Sequence, residues 1–229
     1  MGATAPPLSQ RLDDDTLTEQ GGETVRQARP GRTLLIACGA LAREILAIRD
    51  LNGWDELDLA CLPAKLHNRP DQIPDAVRAR VRRARQEGFD QIYVVYADCG
   101  TGGLLDKVCD EEGVARIDGP HCYSFFDGND AFQKRADAGE ITAFYLTDFL
   151  ARQFDTLVWK GMGFDRHPEL IEMMFGHYEK IVYLAQTEDP ELEARARAGA
   201  ARLGLAFEKR PTGYGELPAF LARAANTGA

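Results

Sequence analysis

The chain has 229 residues, a formal net charge of −9, and 45% hydrophobic residues, enough apolar material for a sizeable core. One α/β domain can reach this length, although about 100–200 residues is more usual. The acidic balance argues against nucleic acid or an anionic membrane as a general partner, because either needs a basic face.

No stretch reaches the roughly 18 apolar residues of a membrane-crossing helix. The start, MGATAPPLSQRLDDDTLTEQGG, lacks the basic head and apolar centre of a signal peptide. The expectation is a cytoplasmic protein whose five cysteines are reduced thiols. Residues 1–30 carry few large apolar groups and no periodicity, so they read as a flexible arm ending in the turn ARPGR.

From Thr33 two periods alternate. TLLIAC is a short continuous apolar run, the pattern of a strand buried on both faces. LAREILAIRDLNG follows, with Leu41, Ile45, Ile48 and Leu51 at helical spacing and Gly53 as the stop. ELDLACL reads as a second strand, IPDAVRARVRRARQEG as a helix and QIYVVYA as a third strand. GLLDKVCDEEG is a short helix and ARID a weak fourth strand. Residues 121–140 are the least regular and fit an excursion or lid.

AFYLTDF reads as a fifth strand, followed by a helix from about Phe149 to Lys160 and another over HPELIEMMFGHY. KIVYLAQ, DPELEARARAGAARLG, LAFEKRPTG and GELPAFLARAA continue as strand, helix, strand and helix. This alternation predicts a single α/β domain over 31–229, built as a doubly wound, mainly parallel sheet with helices on both faces.

In such sheets ligands bind beyond the carboxyl ends of the strands. Past the first strand come Cys38, Gly39 and Ala40. Past the second come Lys65, His67 and Arg69, and past the third Asp98, Cys99, Gly100, Thr101, Gly102 and Gly103. Asp118, His121 and Cys122 follow the fourth, and Thr147 and Asp148 the fifth. Polar groups and thiols therefore recur at one edge. Cys61, inside a strand, and Cys109, inside a helix, read as packing residues.

Cys38, Cys99 and Cys122, with His121 or His67 beside them, form a donor set suited to zinc, or to an iron–sulfur cluster if thiolates dominate. Three thiolates leave one coordination position open. The same cysteines are also readable as packing residues or as direct thiol catalysts, with Asp98 and His67 as further catalytic candidates.

DCGTGG before a helix exposes backbone N–H groups to an anion. It matches neither the Gly-x-Gly-x-x-Gly fingerprint nor a P-loop, which disfavours a nucleotide. The expected occupant is the carboxylate or phosphate of a small anionic substrate resting on Gly100, Thr101, Gly102 and Gly103. Lys65 and Arg69 would neutralise its charge, and Asp148 and Arg166 complete the candidate substrate groups. Asp165 is a candidate helix cap. The arginine row Arg78, Arg80, Arg82, Arg83 and Arg85 reads as a solvated helix face or a patch for an acidic partner protein.

The segments ACGALAREI, PAKLHNRP, YADCGTGG, DGPHCYSFF, FYLTDFL and GFDRHPEL together resemble the bacterial and archaeal domain-of-unknown-function family 1638, over about Thr33 to Leu217. The resemblance implies an association with corrinoid-dependent methyltransferases for methylamines or betaines, and so a role in one-carbon or corrinoid metabolism.

Three functions follow as expectations. The first is a metal-dependent enzyme or a metal- or corrinoid-handling protein. The second is a cofactor-independent racemase or isomerase, in which Cys38 and Cys99 stand on opposite sides of a carbon acid. The third is a non-catalytic accessory to a corrinoid methyltransferase system, docking through the basic helix and the arm.

Overall fold

A computed structural model describes residues 13–25 and 31–226. The chain divides into two compact units, one from Met1–Cys122 with Leu217–Ala229 and the other Tyr123–Glu216. The α/β class is as expected. The strands, however, form two sheets in two units rather than one doubly wound sheet in one domain.

The first unit opens with helix α1 (Asp14–Glu19) and the short strand β1 (Gly22–Glu23). The expected flexible arm is therefore ordered over 13–25, and the rest of 1–30 lies outside the described residues. The physical reason is local. Asp13 caps α1 through the Thr16 amide at 2.8 Å, and Leu17 is fully buried. β1 then pairs antiparallel with β3 (Leu57–Leu62), Gly22 opposite Cys61.

β2 (Thr33–Cys38) is buried at every position, as its unbroken apolar run demands. It lies between β3 and β4 (Gln91–Val95), parallel to both. The two-residue β5 (Ala115–Arg116) extends the sheet beyond β4. The spatial order is β1-β3-β2-β4-β5. The chain runs from β2 to β3 on one side and then crosses to β4 on the other. The topological switch point therefore falls between β2 and β4, where α/β sheets open a crevice for ligands.

Helices α2 (Ala42–Asn52), α3 (Ile73–Gln86) and α4 (Leu104–Glu112) make the crossovers. α2 stops at Gly53, whose φ of +66 completes a left-handed cap. Ile45 and Ile48 are buried as expected, but Leu51 is 84% exposed. α3 carries the arginine row, and those side chains meet carboxylates of the same unit. Arg78, Arg82 and Arg85 reach Glu112, and Arg80 and Arg83 reach Glu23 and Glu87.

The second unit begins with α5 (Ser124–Asp127) and α6 (Asn129–Asp137). The excursion expected over 121–140 is thus largely helical. β6 (Ala143–Leu146), β7 (Lys180–Ala185) and β8 (Ala206–Pro211) form a parallel sheet with β7 in the centre. The single helix expected from Phe149 to Lys160 is α7 (Asp148–Arg152) followed by a π-helical segment, Phe154–Lys160. A Cβ on Gly199 of α9 (Pro190–Leu203) would stand 2.9 Å from the Phe154 ring, so this glycine permits the close approach of helix and ring. α8 (Leu170–Phe175) carries no side-chain cap, so Asp165 does not serve as one. α10 (Leu217–Asn226) returns to the first unit.

Candidate functional site

The switch point collects the thiols. Cys38 ends β2, and Tyr96, Ala97, Asp98 and Cys99 run on from β4. The segment after β5 is tied to this edge by backbone hydrogen bonds. Asp98 N–H donates to the Gly119 carbonyl at 3.0 Å and Cys99 N–H to the Pro120 carbonyl at 2.9 Å. That pairing carries His121 and Cys122 to the β4 end. The Cys99 and Cys122 sulfurs stand 3.2 Å apart.

Cys99 is 6% exposed and is the non-glycine residue with positive φ, +50, among those described. This conformation is uncommon for a side chain with a Cβ and marks a position held by its surroundings. Its sulfur accepts from the Cys122 thiol, the His67 side chain and the Cys122 backbone N–H. The Cys122 hydrogen bond, against the opposing effect of burial, holds the Cys99 thiol well below the ordinary range. The same bond and burial hold Cys122 well above it. The contact thus favours ionisation of Cys99 over Cys122.

Burial pushes the Cys38 thiol up to about 12. The Tyr96 hydroxyl is buried without a well-formed hydrogen bond, and its neighbours include the Cys38, Cys122 and Cys99 sulfurs. Burial, outweighing the attraction of the Cys99 charge, moves the His121 imidazole below its usual value. Gly39, in the turn after Cys38, has no room for a Cβ, because the Leu17 carbonyl of α1 occupies that place. The ordered arm thus closes directly over the first thiol turn.

The glycine loop departs from expectation. Its amides do not point at open space. The Asp98 carboxylate accepts from Gly103 N–H at 2.8 Å, Gly102 N–H at 3.1 Å and the Thr101 hydroxyl at 2.6 Å. Burial opposes ionisation of Asp98, but these donors win and lower its carboxyl below the ordinary range. The anion held by this loop is the protein's own, so Gly100–Gly103 are corrected from substrate cradle to a turn braced by Asp98. Asp98 is in turn a brace rather than a free acid or base.

Lys65 pairs with Glu19 of α1 at 2.9 Å, which removes it as an uncommitted cation. Arg69 is exposed and carries no ion pair among the described residues. Its neighbour Pro70 lies 3.6 Å from where a Gly100 Cβ would stand, so the Arg69 turn borders the glycine loop.

Asp148 belongs to the second unit and is 1% exposed. It accepts from the Tyr183 hydroxyl at 2.7 Å, Gln186 N–H at 3.2 Å, Thr187 N–H at 3.0 Å and the Thr187 hydroxyl at 2.6 Å. Its lone pairs are used in joining β6 to the β7 end, so it is corrected from substrate group to structural lock. Arg166 is exposed in the same unit, with the adjacent Asp165 at 3.9 Å. Cys61 and Cys109 are buried in the first unit, as expected of packing thiols. Tyr96 is the site residue that sequence reasoning missed. It looks like the last apolar residue of a strand.

Among the described residues, no three His, Cys, Asp or Glu side chains are arranged to hold a metal ion as they stand. The 3.2 Å sulfur separation is that of a shared proton. Two thiolates around a tetrahedral zinc, with bonds of about 2.3 Å, stand roughly 3.8 Å apart. Among the described residues no helix is long and apolar enough to cross a membrane.

The fold and site define an α/β protein with a thiol-lined centre at a switch point. Residues 61–221 match the family model described as "Protein of unknown function (DUF1638)", and the chain belongs to that family. The match begins at Cys61, so the Cys38 turn precedes it. No curated protein and no solved structure matched.

Proposed function

We propose that Cys99, Cys122 and Cys38, with His67 or His121, bind a transition metal. The protein would then act as a metal-dependent enzyme or metal-handling protein on a small anionic substrate. The observation that carries this reading is the 3.2 Å contact between Cys99 and Cys122 together with the His67 side chain on the same sulfur. A thiolate, a thiol and an imidazole on one centre are soft and borderline donors, and zinc is their first candidate. An iron–sulfur cluster is the second, drawing on the three thiols.

The Tyr96 hydroxyl supports the reading. It is buried among the thiols with no well-formed hydrogen bond beyond its neighbour Cys38, so a group bound there would meet it. Metal binding would displace the proton that Cys122 now shares with Cys99. When bound, the metal would supply Lewis acidity at an open position. The chain's own contributions are distinct. Cys99 is the thiol whose ionisation its hydrogen bonds favour, Tyr96 offers a hydroxyl inside the site, and Arg69 is the available cation for a substrate anion. The link to corrinoid or one-carbon metabolism and to methyltransferase partners is the part of the proposal that the family resemblance supplies.

The racemase reading is weaker. It needs two thiols on opposite sides of a carbon, each in turn a base. Cys99 is hydrogen-bonded directly to Cys122, and Cys38, pushed up to about 12, keeps its proton. The docking reading loses its basic surface, because the α3 arginines meet Glu23, Glu87, Glu111 and Glu112.

The test is elemental analysis of protein purified without oxygen, followed by cobalt(II) titration of the metal-free form. Stoichiometric metal and an intense thiolate-to-cobalt band, lost in Cys99→Ser, are expected. No metal and no band would remove the proposal.

A further inference from the structure

The Cys99–Cys122 contact has a second chemical consequence, one that needs no metal. Two sulfurs 3.2 Å apart are about 1.2 Å from the length of a disulfide bond. The backbone already brings the two residues together, through Cys99 N–H on the Pro120 carbonyl at 2.9 Å and the Cys122 N–H on the Cys99 sulfur. The remaining distance is what rotation about the two side chains has to cover. The other thiols are placed differently. Cys61 lies inside β3 and Cys109 inside α4, and no sulfur contact is formed by either among the described residues.

The two sulfurs have unequal surroundings. Besides the shared contact, Cys99 receives the Cys122 backbone N–H and the His67 side chain, which makes it the attacking sulfur in this scheme and Cys122 the resolving one. We propose that Cys99 and Cys122 form a reversible disulfide when the metal-free protein meets a hydroperoxide, and that this bond closes the thiol centre.

The chemistry balances. The Cys99 sulfur attacks the distal peroxide oxygen, the O–O bond breaks, and the leaving alkoxide or hydroxide takes up a proton. Cys99 is then a sulfenic acid. The Cys122 sulfur attacks the Cys99 sulfur, the S–O bond breaks, and the oxygen leaves as water with the Cys122 proton. Two thiols have been oxidised by two electrons and one hydroperoxide reduced by two. A small dithiol reverses the reaction by exchange.

Disulfide formation stands on the contact alone. Its effect on metal loading rests on the metal reading given above. The experiment separates them. Metal-free protein is treated with one equivalent of hydrogen peroxide, alkylated, digested without reductant and mapped by mass. The expected product joins the Cys99 and Cys122 peptides with the loss of two hydrogens, and dithiothreitol restores both thiols. Of the five cysteines, Cys38, Cys61 and Cys109 remain free.

In Cys122→Ser, Cys99 is expected to over-oxidise to the sulfinic acid, because its resolving partner is gone. Irreversible oxidation of wild-type Cys99 without a joined peptide would overturn the proposal, as would a disulfide to another cysteine. Cobalt(II) is then added to the reduced and oxidised forms. A thiolate band from the reduced form alone supports closure of the centre, and equal bands from both overturn it. If neither form gives a band, the metal reading fails and the peptide map alone decides the disulfide.

Discussion

The end of β4 in the first unit and the end of β6 in the second are both carboxyl ends of strands with parallel neighbours, and each presents an acidic or thiol group there. The second unit puts Asp148 at its strand end and surrounds it with four donors, from Tyr183, Gln186 and Thr187. The first unit puts Cys99 there, beside the Cys122 thiol, an imidazole and the Tyr96 hydroxyl, whose neighbour is the Cys38 sulfur. Position alone therefore does not make a site. A strand-end group whose hydrogen bonds are all used is a lock. One that keeps an exchangeable proton is the candidate centre for chemistry proposed above. Asp98 shows that both kinds can be neighbours, since it is braced by Thr101, Gly102 and Gly103 and stands next to Cys99.

The largest effect should come from breaking the lock. Asp148→Ala strands a tyrosine hydroxyl and two backbone amides, and should lower the unfolding free energy by about 3–5 kcal/mol in urea titration. A loss below about 1 kcal/mol would mean that the two strand ends do not differ as described.

Asp98→Ala should cost less, about 1–2 kcal/mol, because its donors are partly open to water. This loss has a pH signature. The folded carboxyl titrates below its unfolded value, so its stabilisation is fully present above about pH 3.9 and fades as pH falls through the lowered folded value. The gap between wild type and variant, followed by circular dichroism, should close on acidification. A gap that widens toward low pH would contradict the brace.

Cys99→Ser should invert the pattern of Asp148→Ala: stability changes by no more than about 1 kcal/mol, while the chemistry disappears. The ultraviolet thiolate band of wild-type protein should titrate below the value of about 8.5 expected of a free cysteine. It should be absent from the variant near neutral pH. A band that persists in Cys99→Ser would assign the thiolate to another residue. The smallest effect is expected from Arg82→Ala on α3. Its ion pair with Glu112 has one exposed partner, and the change should stay within about 0.5 kcal/mol at moderate salt.

Much of the fold was legible because it is local. TLLIAC, QIYVV and KIVYLA are continuous apolar runs and became β2, β4 and β7. Gly53, Gly113 and Gly204 end helices in left-handed conformations, a requirement visible in the residue type itself. The ordered arm was legible in part. Asp13, Asp14 and Asp15 before Leu17 make a helix start, but low hydrophobicity concealed it. Cys38, Cys99, Cys122, His67 and His121 were legible as strand-end residues because each follows a run read as a strand.

What the sequence by itself determined is which chemistry stands at the strand ends, because period and turn composition are properties of neighbouring residues. Tertiary structure alone decided which of those groups were already spent. Asp98 meets its own glycine loop, Lys65 meets Glu19, Asp148 meets Thr187, and Cys99 meets Cys122 across 23 positions of chain. Hydrogen bonds are satisfied over a few ångströms of space, whatever the separation in sequence. The division between a lock and a reactive centre is therefore set only when distant segments are brought to the same edge.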